Sequence, residues 1–419
     1  MVYFSRTLFR GTPIATSTMK RGEMRAWSAD PDLPLRIAMI GTRGVPARYG
    51  GFETAVEEVG RRLVERGHTV RVYTRRSPGD VSLGTYLGMD VVTLPALRSR
   101  HLETLSHTGL SILHLLWRRC DAAFVFNAAN AFWLPLVRIG RCPVATHVDG
   151  LEWRRGKWGV VGRRYYRVAE REAIRWSDAL IADAQGISEY YQEEFGASME
   201  LISYGAPVLG DTGARRLAQI GIEPGKYHLV VARFEPENHV EMIVRAYVAS
   251  AARHPLVVVG SAPYADEYTR RVHAAAGGHP RVRFEGAVWD QALLDEMYAN
   301  ALTYVHGHSV GGTNPSLLRA IGAGTATIAF EVSFNREVLL SNGHYFATEA
   351  DLTAALEASE RDPEETARRG EELRRRARDY DWHEVADGYE RLARLLVARA
   401  TPGPQWWARR RKSRDHSTP

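Results

Sequence analysis

The sequence predicts an α/β protein built from two doubly wound parallel sheets. Short apolar runs of strand length alternate with stretches of helical periodicity, and several of these runs end close to a glycine. Such alternation is typical of parallel sheets that carry helices on both faces. It stops near residues 205–225, where glycine, proline, aspartate and threonine cluster, and then begins again. The chain of 419 residues is therefore predicted to contain two such halves.

In the first half, regular structure is predicted to begin at Leu35. The run 35–40 is mostly apolar and stops at a glycine, as a buried parallel strand does. A glycine-rich loop follows, and a helix is predicted over 52–66 before Gly67. Leucine and isoleucine keep helical spacing between 102 and 116. The other predicted strands of this half are 69–74, 122–126, 144–147 and 179–182.

The second half repeats the pattern, with helices predicted over 239–252 and 291–301 between its strands. The charge-rich stretch 361–378 is predicted to be a solvated helix, and the amphipathic stretch 381–399 is predicted to close the fold. The predicted strands of this half are 229–232, 256–259, 281–284, 302–305 and 327–330.

These elements suggest six segments along the chain. They are a flexible N-terminal extension, a first Rossmann-like domain, a linker, a second Rossmann-like domain, a closing helix and a basic flexible tail. Their predicted bounds, in that order, are 1–34, 35–205, 206–226, 227–380, 381–402 and 403–419.

Composition and charge exclude several classes of protein. The net charge of +6 lies in the tails, +2 in residues 1–32 and +4 in residues 403–419, so residues 33–402 are neutral. A basic nucleic-acid-binding body is therefore not expected. The two cysteines, Cys120 and Cys142, cannot form a disulfide framework or a cysteine-only zinc site, which favours a reducing cytoplasm. No apolar run has the length of a membrane span or of a signal-peptide core.

The first predicted strand leads into a loop, residues 41–53, that suits a phosphate group. Gly50 and Gly51 stand at the start of the following helix, where backbone N–H groups and the helix dipole favour an anion. A tight turn that simply needs glycine is the alternative. The spacing is not Gly-x-Gly-x-x-Gly, and Arg75-Arg76 stand where a dinucleotide fold has its acidic residue. A nicotinamide-dependent oxidoreductase is therefore a less favoured alternative.

The second half offers a matching set of residues. Arg233 directly follows a predicted strand, where ligands of such sheets bind, and its planar guanidinium suits a diphosphate. A second glycine-rich loop leads from the strand 302–305 into a helix at Leu317. Two such loops facing one cleft would hold a nucleoside diphosphate between the domains. His306 and His308 have no carboxylate at a useful spacing, so no metal site is predicted.

A third group of residues follows the strand 144–147. His147, Asp149 and Glu152 could transfer a proton or orient an acceptor hydroxyl, although Asp149 could also simply cap a helix. Arginine, lysine, tryptophan and tyrosine alternate over 153–167. This mixture suits an anionic membrane surface or a lipid diphosphate better than nucleic acid, and a plain solvated helix is the alternative.

Four motifs together resemble a known family. They are GTRGVPARYGGFET, VDGLEWRRGKWG, ARFEPENH and HGHSVGGTNPSLL, and they are similar to motifs of the GT-B glycosyltransferases of the retaining family 4. The closest resemblance is to its subfamily of bacterial rhamnosyltransferase-like enzymes of polysaccharide assembly, and it covers about residues 35–397. Two positions depart from the broad family. Asn238 replaces the usual lysine, and the paired glutamates align with Gly311 and Arg319.

The resemblance implies a GT-B fold with an interdomain cleft, in which 35–205 binds the acceptor and 227–380 binds the nucleotide sugar. It implies a donor site formed by Gly50, Gly51, Arg233, Asn238, Gly286, Val288, Gly311, Gly312, Thr313 and Asn314. We expect Asp149, His147 and Arg233 to be catalytic, and Glu152, Trp153 and Arg154 to bind the acceptor.

The resemblance further implies a retaining, metal-independent hexosyltransferase without a cofactor, whose acceptor is a lipid-linked or other saccharide. Its expected location is cytoplasmic, peripheral on the inner face of the cell membrane. The favoured donor is deoxythymidine diphosphate rhamnose, because Arg319 has five hydrogen-bond donors and no acceptor for a ribose hydroxyl. A catalytically silent sugar-nucleotide-binding or scaffold protein is the main alternative.

Overall fold

The computed structural model describes residues 33–47, 50–76, 83–97, 102–148, 150–156, 158–260 and 266–399. The predicted basic tail, nearly all of the predicted N-terminal extension, and Asp149 lie outside these residues. Among the described helices, none combines the length and the apolar character needed to cross a bilayer.

The first sheet has eight strands in the order β3-β4-β2-β1-β5-β6-β7-β8, all parallel except β3, which pairs antiparallel with β4. Its central strands are apolar and fully buried, as expected for strands covered on both faces. The strands are β1 (Arg36–Ile40), β2 (Thr69–Arg75), β3 (Thr85–Tyr86), β4 (Met89–Leu94), β5 (Ala122–Phe126), β6 (Val144–His147), β7 (Ala179–Ala182) and β8 (Glu200–Leu201).

Helices connect these strands and cover the sheet. The first helix buries Ala55, Val56, Val59 and Leu63, whose spacing of three or four residues places them on one face. The helices of this half are α1 (Gly51–Glu65), α2 (Glu103–Trp117), α3 (Leu134–Ile139), α4 (Val160–Trp176) and α5 (Gln185–Phe195), and α6 (Arg215–Gln219) lies before the second sheet.

The second sheet has six parallel strands in the order β11-β10-β9-β12-β13-β14. They are β9 (His228–Val231), β10 (Leu256–Val259), β11 (Val282–Gly286), β12 (Thr303–His306), β13 (Thr327–Phe330) and β14 (His344–Phe346). Its helices are α7 (Val240–Ala249), α8 (Asp266–Ala276), α9 (Gln291–Ala299), α10 (Pro315–Gly322), α11 (Ser333–Leu339), α12 (Glu349–Arg361), α13 (Pro363–Arg376) and α14 (Trp382–Arg399). The predicted fold class, two doubly wound parallel sheets, is confirmed.

The predicted solvated helix over 361–378 is wrong in its bounds and its exposure. Arg361 ends α12, and Asp362 starts α13 by accepting a hydrogen bond from Glu365 N at 3.0 Å. Leu373 is fully buried, so one side of α13 packs against the domain. The charges that suggested a solvated helix occupy only the other side.

Helix α14 returns from the second half and packs against α1 and β5 of the first. Glu390 on α14 forms an ion pair with Arg66 at 3.0 Å, and its carboxylate lies 3.2 Å from His68 Nε2. At the start of the same helix, the Trp382 ring lies against Gly205, where a Cβ atom would overlap it. The last helix of the chain therefore ties the two sheets together.

Candidate functional site

A cleft of about 2180 Å³ lies between the two sheets. It is lined by residues at the carboxyl ends of strands of both halves, including Arg75 at the end of β2, Asp183 directly after β7 and Arg233 shortly after β9. The carboxyl ends of the strands are where ligands of open α/β sheets bind. The cleft is larger than the roughly 300–1,000 Å³ of a single-ligand pocket, so it has room for two substrates.

The two glycine-rich loops meet across this cleft. Gly50 is the N-cap of α1, and a Cβ atom on Gly51 would lie 2.9 Å from Cγ of Pro315, the first residue of α10. Asn314 caps α10, because its side-chain oxygen accepts a hydrogen bond from Ser316 N at 2.9 Å. Two helix N-termini thus approach each other, and each favours an anion.

Two glutamates of α1 hold the first loop in place. Glu53 accepts a hydrogen bond from Arg43 N at 2.9 Å, and Glu57 accepts one from Ala47 N at 2.6 Å. Gly44 has a φ of +98°, and a Cβ atom there would overlap Thr74. Residues 43–47 of the loop are therefore held to α1 and to β2 by these contacts.

Arg233 and Asn238 both line the cleft. The Arg233 side chain is 41% exposed, with its guanidinium 3.6 Å from Glu235, so it can reach a ligand. Asn238 is buried, and its Nδ2 donates to the Arg233 carbonyl at 2.8 Å. The residue that replaces the lysine of the broad family therefore supports the backbone of Arg233.

The loop that contains Gly311, Gly312, Thr313 and Asn314 lines the cleft and also contacts the first half. The Thr313 hydroxyl donates to the Asp183 carbonyl at 2.8 Å. A Cβ atom on Gly312 would overlap the Asp183 carboxylate. The Thr313 hydroxyl therefore makes a hydrogen bond between the two halves. The predicted contact of Thr313 with the donor would be made by its backbone.

Gly286 and Val288, two of the residues predicted to form the donor site, lie close together in sequence but differ in position. Val288 lines the cleft, but Gly286 does not. Gly286 has a φ of +66°, and its carbonyl accepts a hydrogen bond from Gly260 N at 2.7 Å. It shapes the turn between β11 and α9.

The predicted acceptor residues separate in the structure. Glu152 lines the cleft, where its carboxylate pairs with Arg155 at 2.6 Å and accepts from Trp158 Nε1 at 3.2 Å. Trp153 and Arg154 do not line it, and the Arg154 guanidinium lies 5.1 Å from the Trp153 ring. Residues 152–154 form a 3₁₀ turn, which sends successive side chains in different directions. The spacing alone could not separate them.

His147 is not brought to the cleft. It is 1% exposed, packs among aromatic rings that include Phe52 and Tyr204, and pairs with the Tyr389 hydroxyl at 2.7 Å. Burial lowers the pKa of His147 to about 3, so its imidazole is neutral at neutral pH. Its predicted role in proton transfer stays a prediction, as does that of Asp149.

Several cleft residues were not predicted as site residues. Arg75 ends a strand and Asp183 follows one directly, a signal that the sequence does contain. Arg155, Trp158 and Tyr165 belong to the basic and aromatic stretch but were not singled out. Arg319 also lines the cleft, 3.5 Å from the Asp295 carboxylate of α9.

Parts of the chain match known families. Residues 136–207 match a domain of unknown function, DUF1972, and residues 225–369 match the family described as glycosyl transferases group 1. A D-inositol 3-phosphate glycosyltransferase of Rhodococcus erythropolis is 24% identical over 410 residues, which cover 85% of this chain and 90% of that protein. The GtfA subunit of a peptide N-acetylglucosaminyltransferase of Streptococcus gordonii is 29% identical over 126 residues, 29% of this chain and 24% of that protein.

Solved structures of glycosyltransferases share the fold over nearly their whole length. Sucrose-phosphate synthase of Thermosynechococcus elongatus has a TM-score of 0.74 at 20% identity, covering 87% of this chain and 99% of that one. Anabaena HepE in complex with UDP-glucose has a TM-score of 0.72 at 15% identity, covering 86% of this chain and 99% of that one. The match of residues 225–369 to the group 1 glycosyl transferases and the similarity to curated relatives indicate that the chain is a glycosyltransferase, and the solved structures show that it has the GT-B fold.

Proposed function

We propose that this glycosyltransferase moves a hexose, with retention of anomeric configuration, from a nucleoside diphosphate sugar to a lipid-linked saccharide in cell-surface polysaccharide assembly. The observation that carries the proposal is the approach of two helix N-termini, α1 at Gly51 and α10 at Pro315, in a cleft that Arg233 also lines. All three suit a diphosphate group, since each presents positive charge or N–H donors to this cleft.

This arrangement accounts for the chemical step in terms of the chain's own residues. As the bond between the sugar and the diphosphate breaks, negative charge develops on the departing diphosphate. Arg233 and the amides of the loop 311–314 stabilise that charge without a metal ion, because they are already oriented before the reaction. No cofactor is needed for such a transfer.

Deoxythymidine diphosphate rhamnose remains the favoured donor. The side chain that lines the cleft at position 319 is an arginine, while its partner Asp295 does not line the cleft. A ribose hydroxyl that donates a hydrogen bond would therefore find no acceptor in the side chain at this position. A deoxyribose lacks the 2′-hydroxyl, so its nucleotide loses less binding free energy here. The resemblance to rhamnosyltransferase-like enzymes supports the same choice.

A donor panel tests the proposal. Hydrolysis or transfer is measured with deoxythymidine, uridine and guanosine diphosphate sugars under one condition, with and without EDTA. We expect deoxythymidine diphosphate rhamnose to be used best and EDTA to have no effect. A uridine or guanosine donor that is used tenfold better overturns the rhamnose assignment alone. Binding without turnover of any donor supports the silent-binding alternative.

The membrane part of the proposal is supported by an exposed apolar surface on the first half, which we term the α2–α4 face. Trp117 is 88% exposed, Ile139 73% and Val161 84%. The elements are neighbours, since Gly140 packs against Leu116 and the Phe132 ring lies 5.2 Å from that of Tyr165. The face consists of Leu110, Leu113, Trp117, Phe132, Ile139, Val160 and Val161.

Charge selects an anionic bilayer as the partner of this face. Exposed arginines accompany it at positions 118, 119, 141, 163 and 164. Between residues 104 and 148 the sequence has a single acidic residue, Asp121, and that carboxylate is paired with Arg36 at 2.7 Å. Exposed apolar side chains next to exposed arginines, with few acidic residues nearby in sequence, suit the interface of an anionic membrane. Val160 and Val161 also line the cleft, so a membrane-bound acceptor would lie close to its entrance.

A further inference from the structure

His308 is a buried histidine at the wall of the cleft, and the proposed chemistry leaves it without a role. It lies two residues beyond β12, is 7% exposed and lines the cleft with Arg233 and Gly311. Its Nδ1 lies 2.8 Å from Asn238 Oδ1. The protonation of the two ring nitrogens decides whether this imidazole offers a ligand a hydrogen-bond donor or an acceptor.

The hydrogen bonds of Asn238 determine the tautomer of His308. Asn238 Nδ2 donates to the Arg233 carbonyl, so its Oδ1 is the atom that faces His308. An amide oxygen can only accept, and His308 Nδ1 must therefore carry the hydrogen. Burial and the positive charges of Arg155 and Arg233 lower the pKa of His308 well below its usual value. The ring is neutral, and Nε2 keeps a lone pair.

Gly311 lies directly beside Nε2. A Cβ atom on Gly311 would lie 2.9 Å from His308 Nε2, so this atom is where a side chain at position 311 would point. Gly311 has a φ of +145°, and Gly150 of the first half packs directly against its backbone. In the broad family that the sequence resembles, a glutamate stands at position 311 and supplies an acceptor. Here the acceptor at this place is His308 Nε2.

We propose that His308 Nε2 accepts a hydrogen bond from one hydroxyl of the donor sugar, and that Asn238 positions it for this by holding the Nε2-acceptor tautomer. The proposal rests on the donor function proposed above and names the residue that distinguishes sugars within it. A hydroxyl at the contacted carbon is required as a hydrogen donor. An analogue with a fluorine atom there, which cannot donate a hydrogen bond, binds more weakly.

Binding measurements on the full chain test the proposal. The donor for these measurements is whichever of deoxythymidine diphosphate rhamnose and UDP-glucose binds more tightly. Calorimetry at pH 7.5 compares the affinity of this donor with that of the nucleoside diphosphate without the sugar. It also compares the donor with analogues in which one sugar hydroxyl at a time is replaced by fluorine. In the natural chain we expect the analogue changed at the contacted carbon to bind about three- to tenfold more weakly. In His308→Leu that penalty disappears, while the nucleoside diphosphate keeps its affinity within twofold. His383→Leu, an exposed histidine of α14, is the matched control.

A second variant tests the tautomer and does not depend on the first one folding. In Asn238→Asp the carboxylate still accepts from Nδ1 but favours the imidazolium, against the positive charges of Arg155 and Arg233. The other titratable groups that face the ring are His239 and His306. We expect donor affinity to rise with pH between 6 and 8 in this variant and to stay level in the natural chain.

Two outcomes overturn the proposal while the donor function survives. One is an equal penalty for every fluorinated analogue in the natural chain and in His308→Leu. The other is a loss of nucleoside diphosphate affinity as large as the loss for the sugar nucleotide. If neither sugar nucleotide binds the natural chain, the donor function is wrong and this proposal is wrong with it.

Discussion

Arg233 is the residue on which the proposed diphosphate site depends most directly. We expect Arg233→Ala to lower kcat/KM at least a hundredfold with the fold intact, because a bidentate guanidinium makes two charged hydrogen bonds of about 1.5–3 kcal/mol each. Steady-state kinetics on the best donor, with circular dichroism for the fold, measures this. Arg245→Ala, which removes an exposed arginine of α7 paired with Glu241, is the control. Natural turnover by a folded Arg233→Ala chain would remove Arg233 from the site.

Gly51 is the second residue whose change is informative. A valine there would press against Pro315, whose Cγ lies 2.9 Å from the position of a Cβ atom, and would occupy space beside the N–H groups of α1. We expect Gly51→Val to fold and to lose donor affinity at least tenfold, measured by calorimetry with the nucleoside diphosphate. Gly210→Val, at a position with no neighbour within 4 Å, is the control. Unchanged affinity would refute the phosphate role of this loop.

At the scale of single elements, α4 contains a buried carboxyl group whose contribution to the free energy of unfolding depends on pH. Glu170 is 2% exposed and accepts a hydrogen bond from the Tyr190 hydroxyl at 3.2 Å, and burial raises its pKa from 4.5 to about 7. A raised folded pKa means that its contribution to stability is fully present below pH 4.5 and is lost as pH rises through about 7.

Replacing Glu170 should therefore stabilise the chain at alkaline pH. We expect Glu170→Gln to raise the free energy of unfolding at pH 8 by about 1–3 kcal/mol relative to the natural chain, with little gain at pH 4.5. Urea unfolding at the two pH values measures the change. Glu172→Gln on the same helix, at a partly exposed position, is the control. An equal effect of Glu170→Gln at both pH values would contradict the assignment.

Helices α2 and α3 contribute two strongly exposed side chains to the α2–α4 face, Trp117 and Ile139. We expect the double variant Trp117→Glu/Ile139→Glu to reduce binding to liposomes containing anionic lipid at least fivefold, because it adds negative charge and removes apolar area at the interface. Flotation assays measure binding, and activity on a soluble acceptor should not change. Leu340→Glu, at an exposed leucine of the second half, is the control. Binding equal to that of the natural chain would show that this face is not the docking surface.

At the scale of the whole molecule, the cleft depends on direct contact between the halves at Gly312 and Asp183. A methyl group on Gly312 would overlap the Asp183 carboxylate, so Gly312→Ala should push the halves apart. We expect a lower melting temperature and at least a tenfold loss of donor affinity, with both losses measured on the same sample. Gly84→Ala, where a methyl group meets nothing within 4 Å, is the control. A variant with natural affinity would show that this contact is dispensable.

The sequence by itself determined the alternation of strands and helices, and hence two parallel sheets with loops at their carboxyl ends. Parallel strands place those ends at one edge, so Gly50, Gly51, Arg233, Val288 and the loop 311–314 could be predicted to line one cleft. Four strands were missed. Of these, β3, β8 and β14 have only two or three residues, which carry no periodic signal, whereas β4 was missed although it has six residues.

Only the tertiary structure decided which neighbouring side chains face the cleft. His147 ends β6 beside the cleft, yet its ring pairs with Tyr389, 242 residues away on α14. Trp153 and Arg154 point elsewhere because the 3₁₀ turn separates them from Glu152. The tautomer of His308 depends on Asn238, 70 residues earlier. Local periodicity sets the position of a residue along an element, but the direction of its side chain depends on packing against elements distant in sequence.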